Sequence, residues 1–132
     1  MTIEANKQII IKWIETFNTR DLAAIEKLAD EIFSPEWISY TPFFPDNPHD
    51  REGWKQMIRQ ILTDFPDYQI LSEDVIAEDD KVVMRGRYTG TTAATKEPFA
   101  MDFIGIARIS GGKIVELIEM NVPVPTPVGS TP

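Results

Sequence analysis

The stretch that decides the fold runs from Lys81 to Asn121 and holds three runs of β-branched and long apolar residues. They read KVVMRGRYTGTT (81–92), FAMDFIGIARI (99–109) and KIVELIEMN (113–121). Residues 110–112, Ser-Gly-Gly, separate the last two runs, and a glycine pair supplies the positive φ angles that a tight hairpin needs. The stretch therefore predicts a meander of antiparallel strands, with an apolar face that other elements must cover.

Three amphipathic helices and two further strands are predicted upstream. Apolar residues recur at helical spacing over 3–17, over 22–32 and from Trp54 to Leu62, and Asp21 and Asp50 are the expected N-caps of the second and third helices. We expect Pro35 to end the second helix, ahead of a short strand at 36–41 and a proline-rich loop at 42–50. Residues 68–77 indicate one more strand, so the predicted order is ααβαββββ.

This order predicts a single α+β domain over residues 1–122, followed by a proline-rich tail at 123–132 that we expect to be extended or disordered. A chain of 132 residues with 42% hydrophobic content can bury one core without a disulfide. The N-terminus shows no pattern of a secretory signal, and no stretch has the length of a membrane span. We therefore expect a cytoplasmic protein without a membrane partner.

Composition also excludes several classes of site. The chain has no cysteine and one histidine, so a thiolate metal site is excluded, a histidine-built zinc site is disfavoured, and no metal is expected. A net charge of −8 opposes attraction to phosphate backbones and anionic lipids. Nucleic acid is therefore not an expected partner. The histidine, His49, lies in the predicted loop before the third helix and is expected in solvent, or at a pocket rim.

Five short motifs, in chain order, resemble the SnoaL-like polyketide cyclase family of the nuclear-transport-factor-2-like superfamily, which also holds ketosteroid isomerases. The motifs are NTRDL (18–22), FPD (65–67), EDDKVVMR (78–85), TGT (89–91) and GGKIVE (111–116). The resemblance implies a cone-shaped, curved and mixed, largely antiparallel sheet that packs against three helices around an apolar pocket. It also implies a homodimer formed through the sheet and a hydrophobic small-molecule ligand.

The chemistry of that superfamily is cofactor-free proton transfer, of the cyclase or isomerase type, by an acid or base in an apolar cavity. This chain departs from the cyclase pattern at both working positions. The family's strand histidine corresponds to Thr92, and its carboxylate near the end of the last strand corresponds to Val122, or to Asn121 if the alignment shifts by one. Two functions stay open: a cofactor-independent enzyme, or a non-catalytic binding module that has lost the catalytic pair.

Strand parity gives the replacement residues, because alternate side chains face opposite sides of a sheet. Glu119 shares a face with Leu117 and Asn121 and is our first choice for the acid or base. Asp102 is the second choice: it is a base if its face lines the cavity, or else it pairs with an arginine across the sheet.

The expected ligand contacts also follow from parity. Tyr88 and Thr92 point into the cavity if the family's histidine does, and Tyr88 or Tyr40 would then donate a hydrogen bond to a carbonyl oxygen. The alternative for Tyr88 is a position at the edge of the core, with its hydroxyl in solvent. Asn121 completes the predicted substrate-binding set, and no cofactor is expected.

Overall fold

The computed structural model describes residues 2–40 and 49–123 of the chain. Its elements follow the predicted order ααβαββββ. They are α1 (Ile3–Phe17), α2 (Leu22–Ile32), β1 (Phe33–Tyr40), α3 (Arg51–Asp64), β2 (Gln69–Glu78), β3 (Lys81–Thr91), β4 (Pro98–Ser110) and β5 (Lys113–Pro123). The α+β class is therefore confirmed. Residues 42–48 of the predicted loop and residues 124–132 of the predicted tail lie outside the described residues.

The five strands form one mixed sheet in the order β1-β5-β4-β3-β2. β1 runs parallel to β5, and every other pair is antiparallel. Between β4 and β5, Ser110 pairs with Lys113, and Gly111 and Gly112 adopt φ angles of 59° and 78°. Both angles lie in the left-handed region that glycine tolerates, so the hairpin predicted from the glycine pair is confirmed.

The helices cover one face of the sheet, which we call the inner face, and the other is the outer face. Asp21 and Asp50 cap α2 and α3 as predicted, accepting from the backbone N–H of Ala24 at 3.2 Å and of Gly53 at 2.8 Å. The core lies between the inner face and the helices. Its sheet side is formed by Phe33, Trp37, Val82, Met84, Phe103, Ala107 and Leu117, and its helix side includes Ile10, Trp13, Ile25, Trp54 and Ile58.

α2 ends ahead of Pro35, as the sequence predicts, but the first strand begins three residues earlier than its predicted start at residue 36. α2 ends at Ile32, and Pro35 lies inside β1. The rings of Phe33 and Trp37 stack with centroids 3.9 Å apart, and both are buried, so this segment gains more from packing in the sheet than from another helical turn. β1 is an edge strand, where a proline costs little, and its register with β5 shifts between Phe33 and Ile38.

β2 and β3 approach closely at Gly86. A Cβ atom there would lie 2.2 Å from the carbonyl oxygen of Leu71, so this position excludes any side chain. The register of the β2–β3 pair shifts nearby, between Ser72 and Asp74. Such an irregularity bends a strand and increases its twist. Among the described helices, none is long and apolar enough to cross a bilayer.

Candidate functional site

A pocket opens between the inner face of the sheet and helices α1 and α3. Its walls are mostly apolar and aromatic, with Trp13 and Phe17 from α1 and Trp54 and Met57 from α3. The empty space, counted with its open mouth, is about 570 Å³, of which the centre of a water molecule can occupy about 50 Å³. The polar side chains in the lining are those of Ser39, Tyr40, Tyr68, Tyr88, Glu119 and Asn121.

Glu119 is the one carboxylate among the described residues that line this pocket. The Tyr88 hydroxyl donates to its Oε1, and Nδ2 of Asn121 donates to its Oε2 at 3.2 Å. Both carboxylate oxygens are therefore held, which fixes the orientation of the group. Gly105 lies directly opposite Glu119 on β4, so the paired residue places no side chain against the carboxylate.

Tyr88 reaches Glu119 because its ring is stacked in a fixed position on the inner face. Its centroid lies 4.3 Å from that of Phe103 and 5.5 Å from that of Tyr68. Burial raises the pKa of the Tyr88 hydroxyl, and the nearby charge of Glu119 raises it further, so the hydroxyl stays protonated and acts as a donor. The interpretation of Tyr88 as a donor to the ligand needs correction, because its proton is already directed at Glu119.

Tyr68 is a pocket residue that the sequence analysis did not single out. It precedes β2, lines the pocket and is only 5% exposed. Burial raises the pKa of its hydroxyl, and the charge of Glu119 adds to this effect. A sequence signal was available, since Tyr68 and Ile70 stand two residues apart and so share a face of the predicted strand; the structure adds that Ile70 pairs with Tyr88.

Two further polar atoms in the pocket walls are buried without a partner. They are Nε1 of Trp13 and Oγ of Ser39, and neither has a hydrogen-bond partner within the described part of the chain. Ser39 pairs with Leu117 in the parallel β1–β5 ladder, two residues from Glu119 on the same face. Unpaired buried polar groups cost free energy, so native sites usually supply them with water or ligand.

Of the three remaining predicted ligand contacts, two lie in the pocket and one does not. Tyr40, which is 41% exposed, and Asn121 both line the pocket. Thr92 does not line it, and its assignment to the pocket is wrong. β3 ends at Thr91, and the Thr92 hydroxyl is bonded within the following turn, to the Thr95 hydroxyl at 2.6 Å and to the backbone N–H of Glu97 at 3.1 Å.

Asp102 lies on the outer face, so its interpretation as a base in the cavity is wrong. Its neighbour Phe103 is buried against the core, and alternation turns Asp102 the other way. The alternative, an ion pair across the sheet, is what the structure shows: Nε of Arg87 donates to Oδ1 of Asp102 at 2.7 Å. This hydrogen bond and charge hold the pKa of the Asp102 carboxyl below its usual value, which makes it a poor base.

The described residues contain no group of three or more histidine, cysteine, aspartate or glutamate side chains that could hold a metal ion. The polar side chains of the pocket are hydroxyls, one amide and one carboxylate. In chemical terms, this set can accept or deliver a proton at Glu119 and donate hydrogen bonds to an oxygen. His49 forms a backbone bridge to Ser39 and lies at the N-terminus of α3.

Three proteins of solved structure are among those that share this fold. AclR of Streptomyces galilaeus, a proposed hydroxylase, is 23% identical, with a TM-score of 0.79 over 97% of this chain and 85% of its own. IdmH of Streptomyces antibioticus, a proposed polyketide cyclase, is 26% identical, with a TM-score of 0.76 over 88% of this chain and 91% of its own. A proposed SnoaL-like polyketide cyclase from Jannaschia sp. CCS1 is 16% identical, with a TM-score of 0.79 over 92% of this chain and 88% of its own.

No curated protein sequence matches the chain. The family model of the SnoaL-like domain matches residues 10–117, a span that contains every element from the body of α1 to the first half of β5. The match includes Tyr40, Tyr68 and Tyr88 of the pocket and ends two residues before Glu119. With this match and the shared fold, the chain belongs to the SnoaL-like domain family.

Proposed function

We propose that the protein binds a hydrophobic, carbonyl-bearing small molecule in the pocket and that Glu119 moves a proton at the carbon next to the carbonyl, without a cofactor. The observation that carries this proposal is the single lining carboxylate, fixed by Tyr88 and Asn121 among aromatic walls. The likeness to IdmH supports a carbonyl-rich ligand, since that protein is described as a proposed polyketide cyclase.

The proposed step balances without a further reactant. The Glu119 carboxylate removes a proton from the carbon, the electron pair of the C–H bond forms a C=C bond, and the carbonyl oxygen takes the negative charge of an enolate. Return of the proton from Glu119 to carbon restores the ketone or its isomer. Alternatively, the enolate carbon attacks a second carbonyl of the same ligand, and the alkoxide formed there takes the proton from Glu119 to give a cyclised alcohol. A base in an apolar pocket suits this reaction because water is largely excluded.

A bicyclic ketone with acidic C–H groups, 2-tetralone, tests the proposal in D₂O. We expect the wild type to accelerate deuterium uptake next to the carbonyl, measured by proton NMR, and Glu119→Gln to lower that rate by at least 100-fold. The amide should leave ketone binding, measured by the shift in unfolding temperature, largely intact. Exchange by Glu119→Gln at the wild-type rate would exclude Glu119 as the base.

The second candidate function is a binding module without chemistry. Thr92, at the position of the family's histidine, lies in a turn outside the pocket. Apart from tyrosines, Glu119 is the only titratable side chain in the described lining, and the lack of a second acid or base favours binding alone. The same experiment separates the two functions. Stabilisation of the wild type by 2-tetralone without any acceleration of exchange would identify a binding module.

We also propose that the protein forms a homodimer through the outer face of its sheet. Five large apolar side chains are exposed there on the neighbouring strands β4 and β5: Ile104 at 46%, Ile106 at 43%, Ile118 at 45%, Met120 at 66% and Val122 at 65%. A contiguous apolar surface of this kind is typical of an interface. Charges of both signs lie beside it, in the pairs that Arg85 and Arg87 form with Glu73, Asp74 and Asp102, so a two-fold axis could match each sign with its opposite.

A further inference from the structure

The hydrogen bond between Tyr88 and Glu119 leaves the ligand's oxygen without the donor that the sequence predicted for it. The hydroxyl proton of Tyr88 is directed at Oε1 of Glu119. The Asn121 amide donates to the other carboxylate oxygen. An oxygen that gains negative charge beside Glu119 therefore needs a donor from another wall of the pocket.

Tyr68 lies in the same pocket lining as Glu119 and carries a hydroxyl that can act as this donor. Its ring lies against Tyr88, with centroids 5.5 Å apart, and its other faces are held by Phe17 at 5.7 Å and Phe65 at 6.1 Å. Its backbone N–H donates to the carbonyl oxygen of Phe65 at 3.0 Å, which fixes where the ring enters the pocket. Within residues 2–40 and 49–123, no hydrogen bond uses its hydroxyl, although the residue is only 5% exposed.

Two more donors of the same lining are unpaired within the described residues: Nε1–H of Trp13 and the hydroxyl of Ser39. An indole nitrogen only donates, and a hydroxyl donates or accepts. A ligand that offers acceptor oxygens satisfies all three groups. An ammonium group offers no acceptor, so it would leave the Trp13 N–H unpaired, and a carboxylate would be repelled by Glu119.

We infer that the Tyr68 hydroxyl donates the hydrogen bond that positions the ligand's carbonyl oxygen, and that the pocket thereby selects neutral apolar molecules with an acceptor oxygen over hydrocarbons of the same shape. Tyr88 has a different task, which is to hold the base. The inference rests on the ligand-binding part of the proposed function. Tyr68 precedes β2 and therefore lies outside the meander of β3, β4 and β5.

The test compares two probes of nearly equal shape, 2-tetralone and its oxygen-free counterpart tetralin, by isothermal titration. We expect the wild type to bind the ketone more tightly. Tyr68→Phe should lower the affinity for 2-tetralone about five-fold, the usual effect of one hydrogen bond, and leave the affinity for tetralin unchanged. Phenylalanine keeps the ring contacts of Tyr68, and the unfolding temperature of the variant without ligand checks that the fold is retained.

Tyr88→Phe is the matched variant, because it removes the neighbouring hydroxyl of the same stack. It should keep the preference for the ketone while it slows deuterium exchange. The inference would be overturned if the wild type bound the ketone no more tightly than tetralin. It would also be overturned if Tyr68→Phe kept the full preference for the ketone, or if Tyr88→Phe lost that preference in its place. If the Tyr68-dependent preference is found but the wild type exchanges no deuterium, the inference stands and the proposed proton transfer fails.

Discussion

Glu119 and Asp102 lie on neighbouring strands, and the parity of each decides its chemistry. Glu119 faces the pocket with the pair Leu117 and Asn121, and Asp102 faces outward to Arg87. Alternation within each strand could be read from the sequence. The sequence could not show which face of β4 is the inner one, because apolar residues follow Asp102 on both faces. Only the packing of Phe103 in the core identifies the inner face.

The contact between Tyr88 and Glu119 also could not be predicted from the sequence. The two residues lie on strands that do not pair with each other, with β4 between them. Tyr88 pairs with Met101 and Glu119 with Gly105, so the hydroxyl crosses β4 diagonally over the ring of Phe103. Such a contact depends on the registers of two ladders at once, and a shift of either by one residue would remove it.

The buried tyrosines predict how stability depends on alkaline pH. The pKa of the Tyr68 hydroxyl is raised in the folded state, so its contribution is complete below the unfolded value of about 10 and is lost as the pH rises above it. Between pH 9 and pH 11, the free energy of unfolding of the wild type should fall by about 1.4 kcal/mol more than that of Tyr68→Phe. Urea unfolding at the two pH values measures this difference, and equal losses in the two proteins would contradict it.

Among the elements, the helices and the β4–β5 hairpin follow from local signals, and β1 does not. Helical periodicity, the Asp21 and Asp50 caps and the glycine pair act over a few residues, so a sequence shows them directly. The start of β1 depends on the stacking of Phe33 on Trp37 and on pairing with β5, about 80 residues further along the chain. Tertiary packing of this kind extends β1 back to Phe33, so that Pro35 lies inside the strand and not between the helix and the strand.

The approach of β2 to β3 predicts a specific sensitivity at Gly86. Gly86→Ala would place a Cβ atom 2.2 Å from a backbone oxygen, and backbone atoms of a paired strand cannot move aside cheaply. We expect a loss of about 2–3 kcal/mol in the free energy of unfolding. Gly105→Ala on the adjacent strand is the matched control, because its Cβ would meet other atoms no closer than 3.5 Å. Equal losses in the two variants, measured by urea unfolding, would show that the close approach is not the cause.

At the scale of the whole molecule, one sheet serves two surfaces. Its inner face carries the pocket, and its outer face carries exposed apolar side chains that would be costly in an isolated monomer. The sequence predicted the layering, because a meander with an apolar face needs helices to cover it. It could not show which face of β4 and β5 the helices cover and which stays exposed, since both faces of these strands read as hydrophobic.

If the outer face forms the proposed dimer interface, a single charged side chain introduced there should disrupt the dimer. Light scattering coupled to gel filtration should give the wild type twice the mass of the chain, and Ile104→Lys should give the mass of one chain. Ile3→Lys on α1 is the control, because Ile3 is similarly exposed, at 47%, but lies in the helical layer, and it should remain dimeric. A wild type with the mass of one chain would contradict the proposed interface, as would a dimeric Ile104→Lys.

The central claim is that the pocket carboxylate, and not the one on the outer face, carries the chemistry. The most direct measurement is the rate of deuterium uptake into 2-tetralone by Glu119→Gln and Asp102→Asn side by side with the wild type. We expect Asp102→Asn to keep the wild-type rate and Glu119→Gln to fall to the rate without protein. A loss of exchange in Asp102→Asn, with Glu119→Gln still active, would contradict the central claim.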